Sequence, residues 1–128
     1  MPLIEFAFIA QMCAFNVDTF RALVFVESSN CRLMTNSKST ARGCGQILKA
    51  TAKEYSLDYG KLLGKGYSLW ATAKVLCDLK RRFPKSYLCA YHLGPKGHKT
   101  GDCSEYLMKI TKALTRKNNY EIVLKEAK

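Results

Sequence analysis

The sequence predicts an all-α chain forming one domain over residues 1–128, with little or no sheet. Three observations lead there. Apolar residues recur at helical spacing through most segments, and no stretch alternates apolar and polar residues as a half-buried strand would. The 128 residues are 48% hydrophobic, with no Gly/Ser- or Pro-rich linker and no internal repeat. One core of that size buries roughly two thirds of the unfolded surface.

Each element has its own signal. Ile4, Phe8, Met12 and Phe15 predict a first helix. That segment has no Lys or Arg ahead of it and Glu5 interrupts it, so it reads as part of the fold rather than as a signal peptide. An export leader is expected either to have been removed or to be replaced by another route. Asn16 or Asp18 caps the next helix, which runs to about Ser28, because a short acceptor side chain satisfies the first free amides. Residues 29–42, rich in Ser, Asn, Thr and Arg, predict a surface loop folding over the site. A further helix starts near Ile47, carries Ala50, Ala52 and Tyr55, and ends before Gly60–Gly66. The longest helix is expected over Ser68–Phe83, with Ser68 as its cap, Leu69, Ala73, Leu76 and Phe83 inward, and Pro84 stopping it. Cys89–Leu93 predicts a short helix. The last amphipathic helix starts near Ser104, with Leu107, Ile110 and Leu114 inward and Lys109, Lys112 and Arg116 outward. From Lys117 the tail frays or forms another helix.

A formal charge of +11, from 21 Lys and Arg against 10 Asp and Glu, directs the chain to a polyanion or an anionic surface. Nucleic acid and a bacterial envelope both satisfy that. Lys80, Arg81, Arg82 and Lys85 form a solvated face that adds long-range attraction. No apolar run reaches the ~18 residues that would cross a bilayer, so no membrane span is expected. The six cysteines, Cys13, Cys31, Cys44, Cys77, Cys89 and Cys103, suggest at least one disulfide, with the pairing left open. The alternative is buried thiols behaving as small hydrophobes.

The chemistry starts at residues 20–29, F-R-A-L-V-F-V-E-S-S, where Glu27 ends an almost wholly apolar run. Desolvation there disfavours the carboxylate and raises its pKa. An acid still protonated near neutral pH can hand a proton to a leaving oxygen. The plain alternative is a helix-end Glu pointing into water. Two more motifs follow: A-R-G-C-G-Q at Ala41–Gln46 and A-Y-H-L-G-P-K-G at Ala90–Gly97. E-S, G-x-x-Q and A-Y-x-x-G-P, in this order over about residues 17–112, resemble the lysozyme-like lytic transglycosylases, which cleave the glycan strands of bacterial peptidoglycan. Within that family the length is most similar to the small enzymes accompanying secretion, conjugation or pilus machines, with small phage enzymes close behind.

The resemblance implies a lysozyme-like, SLT-type fold and Glu27 as the single general acid and base, with no cofactor and no metal. Most glycosidases use a second carboxylate; Asp58 and Asp78 read as structural instead. The resemblance makes Ser28 part of the E-S pair, a hydroxyl that helps fix the helix end. Ser37, nine residues before Gln46, matches the serine that bonds the substrate N-acetyl group. Gln46 offers an amide towards the acid or a sugar hydroxyl, and Tyr91 is expected to sit over the acid. His92 and Gly94 complete the implied sugar-binding set, Gly94 and Pro95 shaping the turn. Gly43 and Gly45 allow close backbone approach. The implied partner is peptidoglycan, acted on by a monomer in the bacterial envelope, exported or delivered by phage, with no nucleic acid involved. Four departures from the family pattern stand out, one of them a pair of residues. His92 stands where Asn is usual, Thr40 for Gly, Cys44-Gly45 for Leu-Met, and Thr72 for a frequent Gly in the long helix.

Other readings compete. Cys89, His92, His98 and Cys103 spell C-x2-H-x5-H-x4-C, a donor set for tetrahedral zinc and hence a small basic nucleic-acid-binding module. A lysozyme-type muramidase would cut the same bond with water, as goose-type lysozymes do. A former enzyme kept as a structural part of a machine would have no reason to retain Glu27.

Overall fold

Asn16 settles the first cap: its Oδ1 accepts from the backbone N–H of Asp18 at 2.8 Å and of Thr19 at 3.2 Å, while Asp18 sits in the first turn. The helix it starts, α1 (Val17–Ser28), buries Phe20, Leu23 and Val24 on one stripe. The structure, a computed structural model, describes Cys13 and residues 16–127, with side chains described to Thr115. The helix expected around Ile4, Phe8, Met12 and Phe15 lies outside the described residues, as does the outward side chain expected at Arg116.

Beyond α1 the chain turns sharply through three left-handed residues, Ser29, Asn30 and Cys31, with φ of 52°, 62° and 67°. Residues 29–48 carry only isolated antiparallel bridges, Thr35 to Arg42 and Arg42 to Ile47, so no sheet forms among the described residues. The chain then runs through α2 (Lys49–Glu54), a single 3-10 turn (Gly60–Leu63), α3 (Lys65–Arg82), α4 (Tyr87–Gly97) and α5 (Ser104–Ala127). The all-α expectation is met. α4 is two pieces joined at Gly94, whose φ of 88° and ψ of 162° are not helical. α5 starts at Ser104, as expected, with Asp102 Oδ1 accepting the Ser104 N–H at 2.9 Å.

Two local expectations fail. α3 starts three residues before Ser68, and Gly64, not Ser68, stands at its N-cap. Ser68 is fully buried, and its hydroxyl accepts the Cys44 N–H at 2.6 Å. The hydroxyl signals a cap in sequence, but here a loop amide is its partner. On α5 Ile110 is buried and Leu114 packs against the same core, as expected, but Leu107 is 39% exposed while Tyr106 and Ala113 are buried. Helical spacing allows either residue at the edge of this stripe; packing against α1 chose the tyrosine.

The central helix is α3. It buries Leu69, Ala73 and Leu76 with α1, α5 and Cys44 on one side, and Ala71, Val75 and Leu79 with Ile47, Ala52, Leu57, Leu62 and Ala90 on the other. Burial on two sides, with Trp70, Lys74 and Arg81 left exposed on a third, makes this the helix around which the others pack. Three disulfides tie the periphery to this core: Cys13–Cys77, Cys31–Cys44 and Cys89–Cys103, with Cα–Cα separations of 5.4, 4.4 and 5.7 Å. By loop-closure entropy each short-loop bridge contributes roughly 3 kcal/mol. No described helix is long and apolar enough to cross a membrane. Ser68→Ala should destabilise the fold by about 1–3 kcal/mol, the cost of leaving the buried Cys44 amide without a partner. Urea unfolding of this variant beside the surface control Lys53→Ala tests it; equal midpoints would contradict the assignment.

Candidate active site

Glu27 lies one residue from the end of α1, four residues after Leu23 and seven after Phe20. The stripe that packs the core therefore also delivers this carboxyl to the core's edge. There it lines a cleft of about 840 Å³, counting its open mouth, floored by Ile47, Val75, Leu79 and Ala90. Burial lifts the Glu27 pKa from 4.5 to about 7, against two opposing effects: a hydrogen bond from Tyr106 and the charge of Lys109. The Tyr106 hydroxyl donates to Glu27 Oε2 at 3.0 Å. Desolvation wins, so near neutral pH about half the molecules hold this proton.

Gln46 reaches the cleft through the loop joining α1 to α2. Gly43 and Gly45 are required there for steric reasons. Gly43 has φ +84°, and a Cβ on it would overlap the Ser68 hydroxyl; a Cβ on Gly45 would overlap Thr72 and the Tyr91 hydroxyl. Gln46, itself left-handed at φ 51°, lines the cleft. Its Nε2 donates to Leu33 O at 3.2 Å and Gly43 O at 3.0 Å. That leaves the amide oxygen, an acceptor, for the cleft.

Tyr91, His92 and Gly94 come from α4 and line the same cleft. The Tyr91 hydroxyl donates to Gly45 O in a short hydrogen bond. Burial, and then the nearby Glu27 carboxylate, raise its pKa well above the usual phenol value, so it stays a hydroxyl. His92 stacks on Tyr106 with ring centroids 4.2 Å apart and planes 9° from parallel. Burial, and then Lys109, push its imidazole below the ordinary pKa, so it is mainly neutral at pH 7. Nothing lies within 4 Å of a Cβ built on Gly94; its φ of +88°, not crowding, calls for glycine.

Five implied residues thus converge: Glu27, Gln46, Tyr91, His92 and Gly94. Ser28 does not join them. It is 1% exposed, with its hydroxyl directed at Val24 O (3.0 Å) and Cys44 O (2.7 Å) while it accepts the Cys31 N–H at 2.9 Å. It fixes the end of α1, and its burial removes it from any sugar contact. Ser37 is exposed and outside the cleft lining; Asn36, one residue earlier, lines it instead. Asp58 Oδ1 accepts the N–H groups of Gly60 and Lys61. Asp78 accepts from Tyr55 at 2.5 Å and pairs with Arg81 and Arg82, which together outweigh its partial burial and hold its carboxyl below the usual range. Both are structural, as expected. The zinc reading fails on geometry. Cys89 and Cys103 are bonded to each other, and the histidines diverge, His92 onto Tyr106 and His98 onto Phe83.

The sequence reading missed Tyr106, which bonds the acid, and several residues that line the cleft, among them Asn36, Leu48, Thr51 and Glu54. For Tyr106 a signal existed, since Tyr106, Ile110 and Ala113 form a helical stripe as regular as the one chosen. No family model, no curated protein and no solved structure matches the chain. What the arrangement can do is therefore read from its chemistry. A carboxyl that holds a proton near pH 7 at the edge of an open cleft can give that proton to a group bound there.

The raised pKa has a thermodynamic consequence. Between pH 4.5 and about 7 the folded chain holds a proton at Glu27 that the unfolded chain has lost, so this residue's share of stability falls as pH rises through that window. Glu27→Gln removes the penalty. The variant should match the parent near pH 4 and exceed it at pH 8 by up to about 3 kcal/mol, measured as the difference in urea unfolding at the two pH values; a pH-independent difference would rule this out.

Proposed function

We propose that the protein is a peptidoglycan lytic transglycosylase on a lysozyme-like scaffold, cleaving the β-1,4 bond between N-acetylmuramic acid and N-acetylglucosamine. The observation that carries this reading is Glu27: an acid lifted to about pH 7 in an open cleft, with Gln46 and Tyr91 lining the same cleft. Glu27 gives its proton to the bridging oxygen as the glycosidic bond breaks. The substrate's own N-acetyl oxygen supports the positive charge left on the sugar carbon, so no protein nucleophile is needed. The resulting carboxylate then takes the proton from the O6 hydroxyl as O6 closes on that carbon, which returns Glu27 to its acid form and leaves a 1,6-anhydro end. A pKa near ambient pH suits both halves of that cycle.

Two of the positions that depart from the family pattern touch each other: a Cβ on Gly45 would overlap Thr72. The other changed loop residue, Cys44, is bonded to Cys31. Three disulfides favour an oxidising compartment such as the periplasm or cell wall. The charge of +11 favours attraction to the anionic polymers there.

Glu27→Gln should keep the helical fold and lower glycan release from purified sacculi by about 10²–10⁴-fold, the usual worth of a general acid. Parent activity should decline as pH rises above about 7, where the acid is deprotonated. Substantial cleavage by the variant would overturn the assignment. Mass spectrometry of the released fragments should find 1,6-anhydro ends. Reducing ends would instead make the protein a muramidase that admits water.

A further inference from the structure

His92 stands where the resemblance calls for an asparagine, and its ring has a definite neighbour. It lies flat on Tyr106, with centroids 4.2 Å apart and planes 9° from parallel, and Tyr106 in turn donates to Glu27 Oε2 at 3.0 Å. One line of contacts thus runs from α4, through a ring on α5, to the acid on α1. Among the described residues neither nitrogen of the His92 ring is hydrogen-bonded, so the contact it makes is through its face. His92 is exposed and lines the cleft, whereas Tyr106 is 5% exposed and packs into the core.

The Cys89–Cys103 disulfide holds the same two segments one turn away. Cys89 precedes His92 by three residues and Cys103 precedes Tyr106 by three, so the bridge and the stack are successive rungs between α4 and the start of α5. The covalent rung, with a Cα–Cα separation of 5.7 Å, limits how far α4 can slide along α5. The aromatic rung then limits how far the Tyr106 ring can turn. Charges nearby leave the stack between two neutral rings. Burial, and then Lys109, keep the imidazole mainly neutral at pH 7, while Glu105, which acts the other way on it, pairs with Lys109 at 3.9 Å.

We propose that His92 is a positioning residue: its ring face keeps the Tyr106 hydroxyl on Glu27 Oε2, which leaves Oε1 to carry the proton given to the leaving oxygen. An oxygen that accepts from a phenol is the carbonyl-like one of a carboxylic acid, so the proton resides on its partner. A phenol free to rotate would release Oε2, and the proton would then divide its time between the two oxygens. An asparagine at position 92 has no ring face to offer Tyr106. This inference rests on the glycan-cleaving reading for its kinetic part, but the contact it describes exists without substrate.

The test therefore reads Glu27 directly in the full chain without substrate, by carboxyl carbon NMR titration, and then kcat and KM on purified sacculi. Tyr106→Phe keeps the ring and removes the hydroxyl. Because that hydrogen bond holds the Glu27 pKa down, the variant should titrate at higher pH than the parent. His92→Ala should move the titration in the same direction and lower kcat about threefold, the scale of one exposed aromatic pair, with KM little changed. His92→Phe, a flat ring without nitrogens, should recover most of that loss. In a Tyr106→Phe background His92→Ala should add nothing, since no hydroxyl remains to be held. A His92→Ala titration moved to lower pH would mean that the ring only keeps water off the acid, and overturns the proposal. So does an unchanged titration, a loss carried by KM, or a full His92→Ala cost in the Tyr106→Phe background. A parent that cleaves no sacculi overturns the glycan-cleaving reading, while the titrations still decide whether His92 holds the tyrosine.

Discussion

The backbone of one residue, Cys44, holds the site together. The Cys44 N–H donates to Ser68 Oγ on the central helix at 2.6 Å, and the Cys44 carbonyl accepts from Ser28 Oγ at the end of α1 at 2.7 Å. The next carbonyl, that of Gly45, accepts from Tyr91 on α4. Three helices thus grip two consecutive residues of one loop, and the Cys31–Cys44 disulfide adds a covalent tie to the turn after Glu27. Both serines are buried, so neither bond can be exchanged for water at low cost. Because Glu27 precedes Ser28 and Gln46 follows Gly45, this clamp sets where the acid and the amide stand relative to each other. Gly43 and Gly45 are what allow so close an approach.

Burial at the end of α1 explains how a strongly basic protein keeps an acid protonated into the neutral range. A positive environment favours carboxylate, and both Lys109 and the Tyr106 hydrogen bond act in that direction on Glu27. Desolvation outweighs them because the residue continues the apolar stripe of Phe20, Leu23 and Val24 into the core edge. Tyr106 opposes the shift while fixing the oxygen it bonds, so the acid is held in place at some cost to its proton affinity. His92, stacked on Tyr106, covers that tyrosine ring from the cleft side of α4. A ring at this position retains aromatic contact where an amide would have offered a hydrogen bond.

The disulfides divide the same work. Cys31–Cys44 joins the segment after Glu27 to the Gln46 loop, and Cys89–Cys103 joins the helix of Tyr91 and His92 to the start of the helix of Tyr106. Each short covalent link thus spans two segments that supply the cleft or its acid. In a chain of this length, where the core alone supplies limited stability, such links restrict the backbone where geometry matters most.

By itself the sequence determined the all-α class, the ends of α1, the stop before Pro84, the start at Ser104 and the identity of Glu27 as the unusual acid. These follow from local periodicity, capping chemistry and the apolar run, which depend on neighbours in the chain. Through the family resemblance of its motifs it also pointed to Gln46, Tyr91, His92 and Gly94, which line the cleft with Glu27. Tertiary structure alone decided the rest. Ser68 looked like a cap and became the partner of a loop amide 24 residues away. Ser28 turned into the core, Ser37 stayed outside, and Tyr106 reached Glu27 across 79 residues. The disulfide pairing, too, came only with the fold. Hydrogen-bond partners and covalent links between distant segments depend on how helices pack, and a local pattern of side chains does not carry that information.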